Sequence, residues 1–157
     1  MVKINVLIDN QPGDNALLEC EHGLSFYIET GCSRVLCDMG ASEKFISNAS
    51  RMGIDLSAID FAFVSHGHAD HTGGLSHYLK TFGEKKVYLS ERISKEMYFS
   101  SRRGSRRDIS TERSVFENHQ DRLVLLKDNS RNSCSLYGCS RTFPTARECF
   151  SKQGSVW

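Results

Sequence analysis

Ser65-His66-Gly67-His68-Ala69-Asp70-His71-Thr72-Gly73-Gly74 gathers three of the chain's six histidines and one carboxylate into ten residues. Four potential metal ligands, His66, His68, Asp70 and His71, fall within six positions. Imidazole suits zinc, iron and manganese, and an added carboxylate permits a second ion beside the first. His66 and His68 are two apart, so an extended backbone brings both rings out on one side, where they can share a metal. Asp70 and His71 follow a turn and approach from another direction. Two ligand pairs match two adjacent ions, which together lower the pKa of a water and polarise the bond under attack. The chemistry such a stretch supports is hydrolysis.

The stretch needs a strand before it and a helix after it. Phe61-Ala62-Phe63-Val64 reads as a buried strand within Asp60 to Ser65, and Leu75, Tyr78 and Leu79 mark a helix ending near Gly83. Gly67 is expected to let the backbone bend, Thr72 to cap the helix, and Gly73-Gly74 to allow its close approach. Upstream, alternation predicts strands over residues 2–9, 16–20, 24–29 and 33–38, an antiparallel meander with a turn at Glu21-His22-Gly23. Ser42 is placed to cap a helix whose stripe is Phe45, Ala49 and Met52, with Gly53 as its stop. Downstream, Lys86 to Ser90 reads as a strand, Glu91 to Phe99 as a helix and Leu123 to Leu126 as a buried strand. This rhythm of strands and helices implies an α/β or mixed sandwich architecture.

Ser100 to Asp108 is polar and basic. It reads as a flexible loop, or as a lid in which Arg102, Arg103, Arg106 and Arg107 hold an anionic or phosphorylated substrate, since guanidinium forks match phosphate geometry. Interleaved aromatics are missing from it, so no nucleic acid is expected as a partner. His22 reads as a turn residue and His77 as an exposed residue on a helix face. His119 stands apart from any metal spacing.

With 157 residues, 39% hydrophobic and 25% charged, the chain fits one soluble domain able to bury a core. A net charge of +1 exerts no global pull on nucleic acid or an acidic membrane. The N-terminal apolar run is too short for a signal peptide or membrane span, so a cytoplasmic protein without membrane contacts is expected. Cys20, Cys32, Cys37, Cys134, Cys139 and Cys149 follow no secreted pattern, and the first three read as small buried thiols. A zinc knot of Cys134, Cys139, Cys149 and His119 lacks the paired spacing of such sites.

His66-Gly67-His68-Ala69-Asp70-His71 resembles the His-x-His-x-Asp-His signature of the metallo-β-lactamase superfamily. Leu36-Cys37-Asp38-Met39-Gly40 is similar to its strand-ending Asp-x-Gly. Ser65 through Leu75 resembles the form found in its metal-dependent hydrolase branch. Leu7-Ile8-Asp9-Asn10 and Glu21-His22-Gly23-Leu24-Ser25-Phe26 are similar to the subgroup named for 7,8-dihydropterin-6-methyl-4-(β-D-ribofuranosyl)-aminobenzene-5′-phosphate synthase. The resemblance implies an αββα sandwich with a dinuclear site at one edge of its sheets. His66 and His68 would bind the first metal, and Asp70 and His71 the second. Asp70 would also orient the attacking water or take its proton, and Asp38 would stand behind the ligands. Zinc is the expected ion, one or two per chain, with iron and manganese the other users of such ligands.

The resemblance covers residues 2–128 and lacks the second half that supplies the remaining histidines and a bridging aspartate. Residues 1–128 are therefore expected to be the N-terminal half of the sandwich. Residues 129–157 are expected to be an atypical tail, read partly out of frame after a frameshift or premature stop. The expected function is metal-dependent hydrolysis of a small molecule, phosphorylated or pterin-like. The other reading is a catalytically impaired remnant that binds metal or a partner protein. Half a sandwich leaves a sheet face uncovered, which a homo-oligomer would cover.

Overall fold

The computed structural model describes residues 1–102 and 104–127. The expectations for residues 129–157, including Cys134, Cys139 and Cys149, lie outside the described residues, and so does Arg103. Strands β1 (Lys3–Ile8), β2 (Ser25–Glu29) and β3 (Arg34–Cys37) form the expected antiparallel meander. Helix α1 (Lys44–Arg51) and a 3₁₀ turn (Leu56–Ala58) lead to β4 (Phe61–Phe63), which runs parallel to β3. Two short helices, α2 (Ala69–Thr72) and α3 (Leu75–Thr81), lead to β5 (Val87–Ser90) and α4 (Glu91–Lys95). A small hairpin, β6 (Phe99–Ser100) with β7 (Arg107–Asp108), precedes α5 (Ser114–Asn118) and β8 (Leu123–Leu126). Among the described residues the main sheet has the order β1-β2-β3-β4-β5-β8, antiparallel through β3 and parallel from β3 onward. The fold is therefore mixed α/β, as the alternating rhythm implies.

The pleat assigns the two faces. Leu7, Leu36, Ala62, Val87 and Leu89 are buried against Phe45, Ala49, Leu75, Tyr78 and Ile93 of the helices. The opposite face holds Ile4, Ile28 and Phe61 in one register row and Val6, Phe26 and Phe63 in the next. All six are only half-buried or exposed, with Ile4 at 59% and Val6 at 46%. No helix among the described residues is long and apolar enough to cross a membrane.

Several local expectations are corrected. Residues 16–20 form no strand, because α1 takes their backbone groups. Asn48 bonds both the N–H and the carbonyl of Glu19 at 3.0 and 2.8 Å, and Arg51 donates to Leu17 O at 2.8 Å. Ser42 sits at the entry of α1 as expected, its Oγ accepting the Lys44 N–H at a long 3.4 Å. Its hydroxyl donates to Glu21 Oε2 at 2.7 Å, while Glu21 Oε1 accepts the N–H groups of Ala41 and Ser42, so a distant carboxylate closes the helix entry. Gly53 ends α1 as expected, at φ +70° with its N–H on Ser50 O. The helix begun at Glu91 stops at Lys95 rather than Phe99. Tyr98 instead pairs with the 109–110 segment, and Arg113 donates to the carbonyls of Ser94 and Glu96. Phe99–Ser100 thus pair with Arg107–Asp108 at the two ends of the basic stretch. Among the described residues β8 is an edge strand, and it is only partly buried, with Leu125 42% exposed. Of the first three cysteines only Cys37 is buried; Cys20 is half-buried and Cys32 exposed.

Candidate metal centre

The cluster sits where β3 and β4 end side by side, the edge at which parallel strands commonly present ligands. Asp38 follows β3 at φ +55°, a left-handed conformation that Asp tolerates better than most side chains. The backbone locks it there: Asp38 donates to Phe63 O at 3.0 Å, Met39 to His71 O at 2.9 Å and Gly40 to Leu24 O at 3.0 Å. Asp38 is 1% exposed and both its carboxylate oxygens are engaged. Oδ1 accepts Ser65 N–H at 2.7 Å; Oδ2 accepts Ser65 Oγ–H at 2.6 Å and meets His71 Nδ1 at 2.8 Å.

His66 lies in the middle of the imidazoles, its ring centroid 4.5 Å from that of His68 and 4.1 Å from that of His71. Its Nδ1 is 2.9 Å from Ser65 Oγ. Burial and the neighbouring His71 and His68 push the His66 pKa down, which favours the neutral, metal-ready ring. The hydrogen bond that His71 donates to Asp38 pushes the His71 pKa up, against the effect of burial. Ligand atoms of Asp38, His66 and His71 all lie within 4.8 Å of one another, the one such group of donors found among the described residues. Both oxygens of Asp38 accept hydrogen bonds, and the carboxylate thereby holds Ser65 and His71 in place. With Nδ1 of His71 held by a carboxylate, Nε2 is the nitrogen left to ligate, the usual arrangement of a metal-bound histidine. Three clustered imidazoles and Asp70 fit a borderline divalent ion by donor type.

Glycines make the close approaches. A Cβ on Gly73 would stand 2.1 Å from Ala41 O, and one on Gly74 2.2 Å from Met39 O, so α2 and α3 meet the 39–42 loop backbone to backbone as expected. Gly67 serves differently from the expected bend: its missing Cβ makes room for the Tyr98 ring. Thr72 ends α2 instead of capping a helix, donating to His68 O at 3.1 Å and accepting from Thr111 Oγ at 3.0 Å.

Sequence reasoning missed three partners. Residues 109–111 run beside 67–69, with Ala69 N–H on Ile109 O at 2.7 Å and Thr111 N–H on Gly67 O at 3.1 Å. Tyr98 places its ring edge-on to His68 at 5.3 Å. His22, read as a turn residue, puts Nε2 3.4 Å from Asp70 Oδ2. His77 is half-exposed beside Glu43, as expected of it. The only local signal for any of these was the Asn10…His22-Gly23 combination. Arg102, Arg106 and Arg107 are exposed on the 99–108 hairpin, and Arg106 stacks over Phe99 at 3.9 Å.

The profile described as the metallo-beta-lactamase superfamily matches residues 18–131. A 7,8-dihydropterin-6-methyl-4-(beta-D-ribofuranosyl)-aminobenzene-5'-phosphate synthase from Methanocaldococcus jannaschii is 34% identical over 89 residues, 54% of this chain and 30% of that protein. An uncharacterized protein of the same organism is 30% identical over 77 residues, 49% of this chain and 29% of its own length. A crystal structure of a metal-dependent hydrolase of the beta-lactamase superfamily matches with a TM-score of 0.62 at 26% identity, covering 85% of this chain and 45% of that one. A chemotaxis sensor solved as a peroxy diiron species shares the fold, with a TM-score of 0.51 at 19% identity over 85% of this chain and 45% of its own. The chain thus spans less than half the length of each of these relatives. It belongs to the metallo-beta-lactamase superfamily.

Proposed function

We propose that this chain holds one or two divalent ions, zinc foremost, through His66, His68, Asp70 and His71, and hydrolyses a small phosphorylated or pterin-like molecule in the cytoplasm. The observation that carries this reading is the packing of two imidazoles, His68 and His71, around His66, with Asp38 fixing the tautomer of His71. Ions held there supply Lewis acidity, which activates water and polarises the bond under attack. The chain's own residues set the rest. Asp38 keeps His71 and Ser65 in place, the lowered pKa of His66 keeps that ring available, and Asp70, the most solvent-accessible carboxylate of the cluster, takes a proton from the attacking water. The hairpin arginines are the contacts proposed for an anionic group, since residues 109–111 tie that hairpin to the backbone of the cluster. A phosphate in the name of the synthase relative supports the phosphorylated class.

We take residues 1–128 as one half of the superfamily's domain and 129–157 as a separate tail, with the partly exposed sheet face covered by a second copy. One observation favours the second reading, binding without turnover: among the described residues the four proposed ligands and Asp38 all come from residues 38–71. Metal content per chain, measured together with hydrolysis of a generic phosphodiester and a lactam, separates the two. Two ions with turnover support the hydrolase. Substoichiometric metal without turnover supports the binding remnant.

A further inference from the structure

We propose that Thr111 is a positioning residue for the metal cluster, holding through its buried hydroxyl the turn that presents His68. The inference rests on the metal reading of the cluster above and extends it to a residue 44 positions beyond Gly67.

The three imidazoles are anchored unequally. His66 Nδ1 lies 2.9 Å from Ser65 Oγ, and His71 Nδ1 lies 2.8 Å from Asp38 Oδ2. Among the described residues none hydrogen-bonds to the ring of His68, which packs against His66 at 4.5 Å and Tyr98 at 5.3 Å. A metal-binding histidine ordinarily has its second nitrogen anchored, and this sets the direction of the ring. At His68 that direction is left to the backbone beneath the ring and to the packing of Tyr98.

The backbone is clamped on both sides of His68. Gly67 O, just before it, accepts the Thr111 N–H at 3.1 Å, and the Ala69 N–H, just after it, donates to Ile109 O at 2.7 Å. His68 and Ser110 form the bridge pair between these two bonds. The 109–111 segment is in turn fixed to Tyr98, whose carbonyl accepts the Ile109 N–H at 2.9 Å and whose N–H donates to Ser110 Oγ at 2.8 Å. His68 is extended, at φ −82° and ψ 142°, with α2 starting at the next residue, so the direction of its ring follows the dihedrals that the clamp sets.

The hydroxyls give the clamp a polarity. His68 O can only accept, so Thr72 Oγ, 3.1 Å away, donates its one proton there. Thr72 Oγ then accepts from Thr111 Oγ at 3.0 Å. Thr111 is therefore the outer donor of a chain that ends on the His68 carbonyl, and its oxygen also lies 3.3 Å from Gly67 O. Both threonines are 3% exposed. Removing the Thr111 hydroxyl leaves a buried Thr72 oxygen without its donor, a cost that the turn relieves by shifting.

The test uses the full chain, stripped with chelator and titrated with Zn²⁺ in chelator competition, its histidine ring nitrogens followed by ¹⁵N NMR. Thr111→Val keeps the shape and the backbone N–H and removes the hydroxyl, whereas Thr111→Ser keeps the hydroxyl. Thr111→Val should bind zinc about tenfold or more weakly, with a smaller zinc-induced shift at His68 than at His66 and His71, and Thr111→Ser should stay within about threefold of the unaltered chain. A threonine that only supports the fold would lower the urea midpoint of Thr111→Val and leave its zinc affinity and His68 shift unchanged, and that result overturns the proposal. Equal loss of affinity in both variants overturns it too. In either case zinc shifts at His66 and His71 of the unaltered chain keep the wider metal reading standing; if no histidine ring responds to zinc, both fall. Should Thr111→Val fail to fold, amide exchange in the unaltered chain decides: zinc should slow the Ala69 and Thr111 amides together, and a Thr111 amide indifferent to zinc overturns the proposal.

Discussion

Asp38 Oδ2 and His71 Nδ1 lie 2.8 Å apart in a pocket where Asp38 is 1% exposed, and this contact joins the end of β3 to the helical turn of the cluster. The same carboxylate accepts two bonds from Ser65, so one buried group aligns the residue before His66 and the ring of His71. Asp38→Asn keeps the shape and tolerates the left-handed backbone, but it replaces an acceptor with a donor. The variant should lose about 1–3 kcal/mol in urea unfolding and bind zinc about 10–100-fold more weakly in chelator competition. Unchanged zinc affinity would remove Asp38 from the orienting role.

The raised pKa of His71 gives a pH signature to the metal-free chain. Its folded value lies above the unfolded value of about 6.5, so the folded state binds this proton more tightly. The resulting stabilisation is complete below the unfolded pKa and disappears as pH rises through the folded one. His71→Gln should therefore differ most from the unaltered chain in acid and converge with it in alkali, as read from urea unfolding at a series of pH values. Zinc requires the neutral ring, so its affinity should rise across the same interval. A stability difference independent of pH would contradict the assignment.

How far the molecule was legible follows from which contacts are local. The strands β1, β2, β3 and β5 declare themselves through alternation, and His66, His68, Asp70 and His71 through spacing within six residues. The segment 16–20 is apolar enough to read as a strand, yet Asn48 and Arg51 capture its backbone from 29 to 34 residues away. Tertiary hydrogen bonds outweighed local propensity there and again at Tyr98, where pairing with Ser110 ends the helix early. His22 does lie in the bend before β2, but its contacts were hidden for the same reason, since its partners Asn10 and Asp70 lie 12 and 48 positions away and no periodicity connects them.

Two glycines of the cluster should respond very differently to alanine. At Gly73 the new methyl would meet Ala41 backbone at 2.1 Å, and neither side can yield without moving α2 from the 39–42 loop. At Gly67 the obstacle, at 2.6 Å, is the edge of the Tyr98 ring, a side chain able to rotate. Gly73→Ala is expected to cost about 1–3 kcal/mol, and Gly67→Ala about 1 kcal/mol or less. Denaturant midpoints of the two variants check the order; the reverse order would mean that the ring, not the loop, is the rigid neighbour.

The cysteines offer a chemical reading of the fold. Cys37 sits in β3 immediately before Asp38, and burial, reinforced by that carboxylate, pushes its thiol up to about 12. Thiolate is the reactive form, so at pH 8 Cys37 presents almost none of it and little surface to a reagent. Cys32, in the turn between β2 and β3, is exposed. Iodoacetamide at pH 8 followed by peptide mapping should label Cys32 well before Cys37, and Cys37 should react at a comparable rate only in urea. Because Cys37 is the neighbour of Asp38, Asp38→Asn should bring its labelling forward to the extent that the variant opens the end of β3. Rapid labelling of Cys37 in the unaltered chain would show that the strand end carrying Asp38 opens freely, and the orienting role assigned to that carboxylate would lose its rigid support.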